Sequence, residues 1–199
     1  MDNRPSVREW YQTHCDTGGL RGLSAQIVQR LVTSGSLVNI SDYVEIVGPS
    51  TFPYLQKHAA EALAAAVEEF GRKPKLVHAL RVLPQQVALF FWYSTHRCGQ
   101  TNLTAAPGTS PHEDARAIDL NDWQDWVPVL ARHNWMWRGQ VDRPHFGYHG
   151  PSDPDFSITA CRAFQELFNE HNPANQIKVD GSLGPKTLEA LNISPAEGW

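Results

Sequence analysis

His112 and Asp119, followed after a Trp-rich stretch by His145, are the residues of this chain whose types and spacing could do chemistry. Two imidazoles and a carboxylate are the donors that hold a catalytic zinc while leaving a fourth position open for water. Asp142 stands three residues before His145. In an extended strand, residues at odd separation point to opposite faces, but Pro144 favours a turn or bulge between them, so Asp142 and His145 can converge on one metal. The bland alternative is that such a His and Asp pair arises by chance, and that Asp142 is a turn carboxylate.

The surrounding residues add to this. Ser110, His112, Ala117 and Asp119 match a Ser-x-His-x-x-Gly-x-Ala-x-Asp signature, and Asp142 with His145 and Phe146 match an Asp-x-x-His-Phe signature. In these residues the chain resembles the zinc D-alanyl-D-alanine carboxypeptidase and L-alanyl-D-glutamate endopeptidase family, whose members cut the peptide stems of peptidoglycan. The resemblance implies Zn2+ held by His112, Asp119 and His145, with Asp142 as general base. It also implies an α+β fold of the DD-peptidase and Hedgehog type, a small antiparallel sheet flanked by helices. One position departs from the pattern: the signature glycine is Ala115, at a place where positive φ or close backbone approach is expected.

Leu76 to Gln86 is similar to the family's strand ending in an arginine, with a glutamine five residues later opening a helix. By that resemblance Arg81 binds substrate and stabilises the transition state, since its planar fork suits a carboxylate or a polarised carbonyl. Gln86, Ser110 and Tyr148 are the further substrate-binding candidates, and His149 lies where it could line a cleft. For Arg81 the competing reading is a surface arginine at a strand end. His96 and His133 read as structural or exposed.

The elements that must position these groups can be read from pattern. Ser24 is a candidate cap for a helix from Ala25 to Leu31, Val38 to Val47 reads as a strand, and Leu55 to Phe70 is an Ala-rich helix stopped by Gly71. Lys75 to Arg81 is a strand, Val87 to Tyr93 an apolar helix, Arg116 to Leu120 a core strand, and Trp123 to His133 a helix. Asp119 should share a face with Ala117, by the two-residue period. Trp123, Trp126, Trp135 and Trp137 offer either a carbohydrate platform or core packing, and apolar neighbours favour packing.

After Pro151 to Pro154, an amphipathic run from Ile158 to Asn169 leads to Val179-Asp-Gly-Ser-Leu-Gly-Pro185 and Thr187 to Leu191. This segment is similar to the small helical peptidoglycan-binding module. The expected organisation is therefore residues 1–150 as the zinc peptidase domain with a helical N-terminal extension, and 155–199 as a helical segment packed on it. That segment either anchors the protein to the wall or serves as a structural clasp.

Composition bounds the remaining possibilities. With 199 residues and 41% hydrophobic content, one main domain plus a small appendage is the expected scale. A net charge of −4 gives no basic footprint for nucleic acid. There is no run of eighteen apolar residues to span a membrane, and the first residues lack a secretory h-region. The expected action at the cell wall or periplasm thus calls for lysis, phage delivery or a secretion apparatus, with the protein a monomer. The three cysteines, Cys15, Cys98 and Cys161, show no metal-like spacing and are expected as reduced, structural thiols. The competing function is a catalytically silent wall-binding protein on the same fold.

Overall fold

In the computed structural model, which describes residues 4–199, the elements run in chain order α1 (Val7–Thr13), α2 (Arg21–Thr33), β1 (Val38–Asn39), β2 (Glu45–Ile46), β3 (Tyr54–Leu55), α3 (Lys57–Phe70), β4 (Lys75–His78), α4 (Leu83–Ser94), β5 (Ala117–Leu120), α5 (Trp123–Arg132), β6 (Trp135–Trp137), β7 (His145–Tyr148), α6 (Phe156–His171) and α7 (Pro185–Ile193). They form two compact units interleaved along the chain. One takes in the N-terminal segment to Ser34, Val82–Ser110 and Asp155–Trp199; the other is Gly35–Arg81 with Pro111–Pro154. The division is not a single boundary between 1–150 and 155–199, because the two ends of the chain cluster together.

The unit holding β1 to β7 is α+β. Its main sheet has five strands in the order β2-β4-β5-β7-β6. The pairs β4/β5, β5/β7 and β7/β6 are antiparallel, but the edge strand β2 runs parallel to β4. The sheet is therefore mixed, not antiparallel throughout. The cause is the connection: α3 lies between β2 and β4, and a crossover of that length allows parallel pairing.

The expected strand from Val38 to Val47 is broken. Asn39 Oδ1 accepts the Ser41 N–H at 2.8 Å and a short 3-10 turn follows over Ser41–Tyr43. The side chain offers the backbone a local partner that competes with the ladder. As a result β1 pairs with β3, and β2 with β4.

Helix α3 presents Ala59, Ala60, Leu63 and Ala66 as a buried stripe, the i, i+1, i+4, i+7 spacing of one helix face. Gly71 ends it at φ 73°, its N–H bonded to Val67 O at 2.9 Å, the left-handed cap that glycine adopts without a Cβ penalty. The core beneath contains Leu63, Leu76, Ile118, Leu120, Trp126, Trp135 and Phe146. Trp126 and Trp135 are fully buried there, and Trp123 stacks on Trp137 with ring centroids 5.0 Å apart. Trp126 and Trp135 are core residues, while Trp123 and Trp137 are partly buried against the core and Trp137 also lines a cavity.

The other unit is helical. In it α6 lies against α2, and α7 against α1. Phe156, Phe164, Leu167 and Phe168 of α6 are buried, as are Leu23, Ile27 and Leu31 of α2. Tyr11 Oη donates to Asn192 Oδ1 at 3.0 Å, Trp92 Nε1 to Tyr11 O at 2.7 Å, and Arg30 pairs with Glu170. Helix α2 begins at Arg21 after a short turn, so Ser24 is a buried interior residue and not a cap.

Gln165, fully buried, organises the loop that follows. Its amide donates to Thr187 Oγ1 at 3.0 Å and accepts the Gly181 N–H at 2.8 Å. Gly181 has φ 75°, and a Cβ there would lie 2.8 Å from Ile158 O, so the turn requires glycine. Gly184 is extended and caps α7 ahead of Pro185.

Cys15 and Cys98, both in the helical unit, form a disulfide with Cα atoms 5.2 Å apart, while Cys161 is buried and takes no part in a disulfide. The expectation of three reduced thiols is thereby corrected. Spacing along the chain could not reveal the pair, since 83 residues separate its members.

A candidate metal centre

The antiparallel register of β5 and β7 sets Asp119 directly opposite His145. Partners in such a pair project to the same face, whereas Ile118, Leu120, Phe146 and Tyr148 project to the core. Ala117 shares the face of Asp119, as the two-residue period requires.

His112 arrives from the loop before β5. The Ala115 and Arg81 N–H groups both donate to His112 O, at 3.2 and 3.1 Å, and the Arg116 N–H donates to Pro111 O at 3.0 Å. These bonds fold residues 111–116 into a turn. Ala115 sits in it at φ 51°, a left-handed conformation uncommon for a residue with a Cβ.

The three expected ligands meet. His112 Nε2 lies 3.1 Å from His145 Nδ1 and 3.4 Å from Asp119 Oδ1, and His145 Nδ1 lies 3.1 Å from the same oxygen. Donors held about 2.0–2.1 Å from a tetrahedral ion are about 3.3 Å from one another, so the triangle has the size of one metal ion's first shell. Its chemistry fits as well. His112 Nδ1 is 2.8 Å from Ala79 O, a carbonyl that can only accept, so Nδ1 carries the proton and Nε2 presents a lone pair. That lone pair faces a carboxylate oxygen, an arrangement that a cation between them stabilises. The buried His112, Asp119 and His145 could thus hold a metal ion.

Charge within the centre follows from burial and proximity. Burial pushes the His112 pKa down to about 4, against the opposing pull of Asp119. For Asp119 burial acts upward, but the imidazoles around it, His112 foremost and then His145 and His78, outweigh that and hold it well below the usual carboxylate range. Asp142 precedes the ligand in a turn closed by His145 N–H to Asp142 O at 3.1 Å. Burial and the Asp119 charge raise its pKa, while His145, Arg138 and Arg81 act against the rise. Asp142 is outside the ligand triangle and close enough to feel it.

Arg81 is brought to the same place: its Nη2 lies 3.8 Å from Asp119 Oδ2. Burial lowers its pKa, and the nearby Asp119, Glu113 and Asp142 oppose that effect. Tyr148 packs in the core, its ring 5.3 Å from Trp135, and also lines the cavity that His145 borders. Gln86 and Ser110 are buried in the helical unit, with the Gln86 amide donating to Ala105 O at 2.7 Å.

His78 is the residue that sequence reasoning missed. Its Nδ1 lies 3.4 Å from Asp119 Oδ2. Alternation from the buried Leu76 would turn His78 toward the core, but β4 carries an extra residue: Leu76 pairs with Leu120 while His78 pairs with Asp119. Val77 is the bulge, and it re-aims the strand end at the site. Gly48 backs the bulge, since a Cβ there would come within 2.0 Å of Val77 O. The glycine was visible in the sequence; its function was not.

No protein-family model matches the chain, and no curated protein matches it either.

Proposed function

We propose that this chain is a zinc-dependent peptidase that hydrolyses amide bonds in peptidoglycan stem peptides or cross-links, as a D-Ala-D-Ala carboxypeptidase or an endopeptidase. The observation that carries the reading is the His112, Asp119, His145 triangle, with Nε2 of His112 forced to present its lone pair. Two nitrogens and one carboxylate oxygen are a donor set that suits zinc in a catalytic setting. The two signatures around these residues supply the substrate class by resemblance. The left-handed backbone at Ala115 supports the match at its one departure, because this is a conformation that glycine adopts at no steric cost.

A zinc ion held by His112, Asp119 and His145 would polarise the scissile carbonyl and bring the pKa of a bound water from about 15.7 to near 7. Asp142 takes the proton of the attacking water and returns it to the leaving amine. Its raised pKa suits a group that must carry a proton between those two moments. Arg81, charged beside Asp119, offers a fork to the oxygen on which negative charge develops or to a substrate carboxylate. His112, with Nδ1 tied to Ala79 O, keeps its orientation throughout.

A disulfide between Cys15 and Cys98 persists in oxidising surroundings. That agrees with action at the cell wall or in the periplasm, reached by lysis, phage delivery or a secretion apparatus. Digestion of purified sacculi with the zinc-loaded protein, with fragments identified by mass spectrometry, tests the reading. Stem-peptide fragments that vanish with a chelator are expected. Intact sacculi that nonetheless bind the protein point to the catalytically silent wall-binding alternative.

A further inference from the structure

Beyond His145 the site face of the sheet opens into a cavity of about 270 Å³, whose lining includes Arg116, Met136, Arg138, His145, Gly147 and His149. Register explains the hollow. Gly147 is the cross-strand partner of both Ala117 and Met136, so beside Met136 this face carries no side chain, and Gly147 forms the trough floor. A Cβ added to Gly147 would lie 3.5 Å from His149 Nε2, which puts the imidazole over that floor. The volume is below the usual range for a whole small-molecule ligand, about 300–1,000 Å³, and suits a single residue of a longer chain.

The trough holds two guanidinium groups. Arg116 Nη2 makes one ion pair, with Asp114 Oδ2 at 3.3 Å. The guanidinium of Arg138 makes no hydrogen bond or ion pair among the described residues, though it is near enough to Asp142 to favour that carboxylate's charged form. A cationic fork left without a partner in a concave site is matched best by a carboxylate. His145 belongs both to the metal triangle and to the trough lining.

We infer that the trough is a specificity subsite for a carboxylate carried by the peptide next to the amide being cut, gripped by Arg138 and Arg116. This rests on the peptidase reading for the word "cut", but the binding itself does not. The carboxylate can belong to an acidic side chain or to a chain terminus.

The test uses full-length, zinc-loaded Asp142→Asn protein, so that bound peptide survives, and compares synthetic peptides by calorimetry. One carries an acidic side chain and an amidated end, a second a neutral side chain and a free terminal carboxylate, and a third replaces both carboxylates by carboxamides. At least one carboxylate peptide should bind about ten-fold more tightly than the carboxamide, and which one identifies the source. Arg138→Gln, at an exposed position, should erase that preference while zinc content stays unchanged, and Arg116→Gln should reduce it.

Equal binding of all three peptides, no binding of any, or a preference that survives Arg138→Gln overturns the inference. If the preference holds while the wild-type protein releases nothing from sacculi, the peptidase reading fails and the subsite stands. If hydrolysis occurs but is indifferent to the carboxylate, the peptidase reading stands and the subsite fails.

Discussion

Nδ1 of His112 stands 2.8 Å from the carbonyl oxygen of Ala79, and this contact decides which nitrogen faces Asp119 and His145. Ala79 follows His78, the residue re-aimed by the β4 bulge. One irregularity in one strand thus both fixes a ligand's tautomer and brings His78 to the second oxygen of another ligand.

The metal-free protein should lose stability as pH falls from about 6.5 toward 4. His112 titrates near 4 when folded and at 6.5 when exposed, so in that window the unfolded chain binds the extra proton and is favoured. The contribution is fully present above pH 6.5. Asp119, held well below the ordinary aspartate value of 3.8, adds a second loss at still lower pH. Thermal melts across pH in the presence of a chelator measure this. A melting temperature that is flat from pH 7 to 4, or that rises, contradicts the assigned burial of His112.

Asp142→Asn should keep zinc and lose on the order of 10²–10⁴ in turnover, the usual contribution of a general base. In the wild type, the acid limb of the rate profile should lie above the ordinary aspartate range, since the Asp142 pKa is raised and the base must be ionised to act. Metal analysis and rates on one preparation separate the outcomes. Full activity in the variant places the base elsewhere.

His78→Gln should weaken metal binding about 10–100-fold, the usual effect of removing a group that orients a ligand. His78 is partly exposed, so the fold should survive. Competition against a chelator of known affinity reads the change directly. Unaltered affinity would mean that the 3.4 Å approach to Asp119 Oδ2 does not orient the ligand.

Deleting the residues after Pro154 should give an insoluble or unfolded product. Phe156, Phe164, Leu167 and Phe168 are buried, α6 packs on α2 and α7 on α1, and losing them exposes apolar surface that promotes aggregation. A soluble, zinc-loaded truncation that has merely stopped pelleting with sacculi would favour the anchor over the clasp.

The sequence by itself picked out the three residues that could hold a metal and most of the elements around them. His112, Asp119 and His145 stand out by residue type together with the two signatures that surround them, α3 by its alanines and Gly71, and β5 by a short apolar run, because these are properties of residues close together in the chain. Strand pairing is not local. That β2 joins β4 in parallel, that β4 bulges at Val77 and turns His78 toward Asp119, and that Gly147 falls beside Met136 to floor a trough flanked by arginines all depend on register between distant segments. The Cys15–Cys98 bond and the packing of α6 and α7 against the N-terminal helices are of the same kind. Only the tertiary structure decides them, since a single-residue shift of register moves a side chain to the opposite face and nothing in the local pattern records which register the packed core selects.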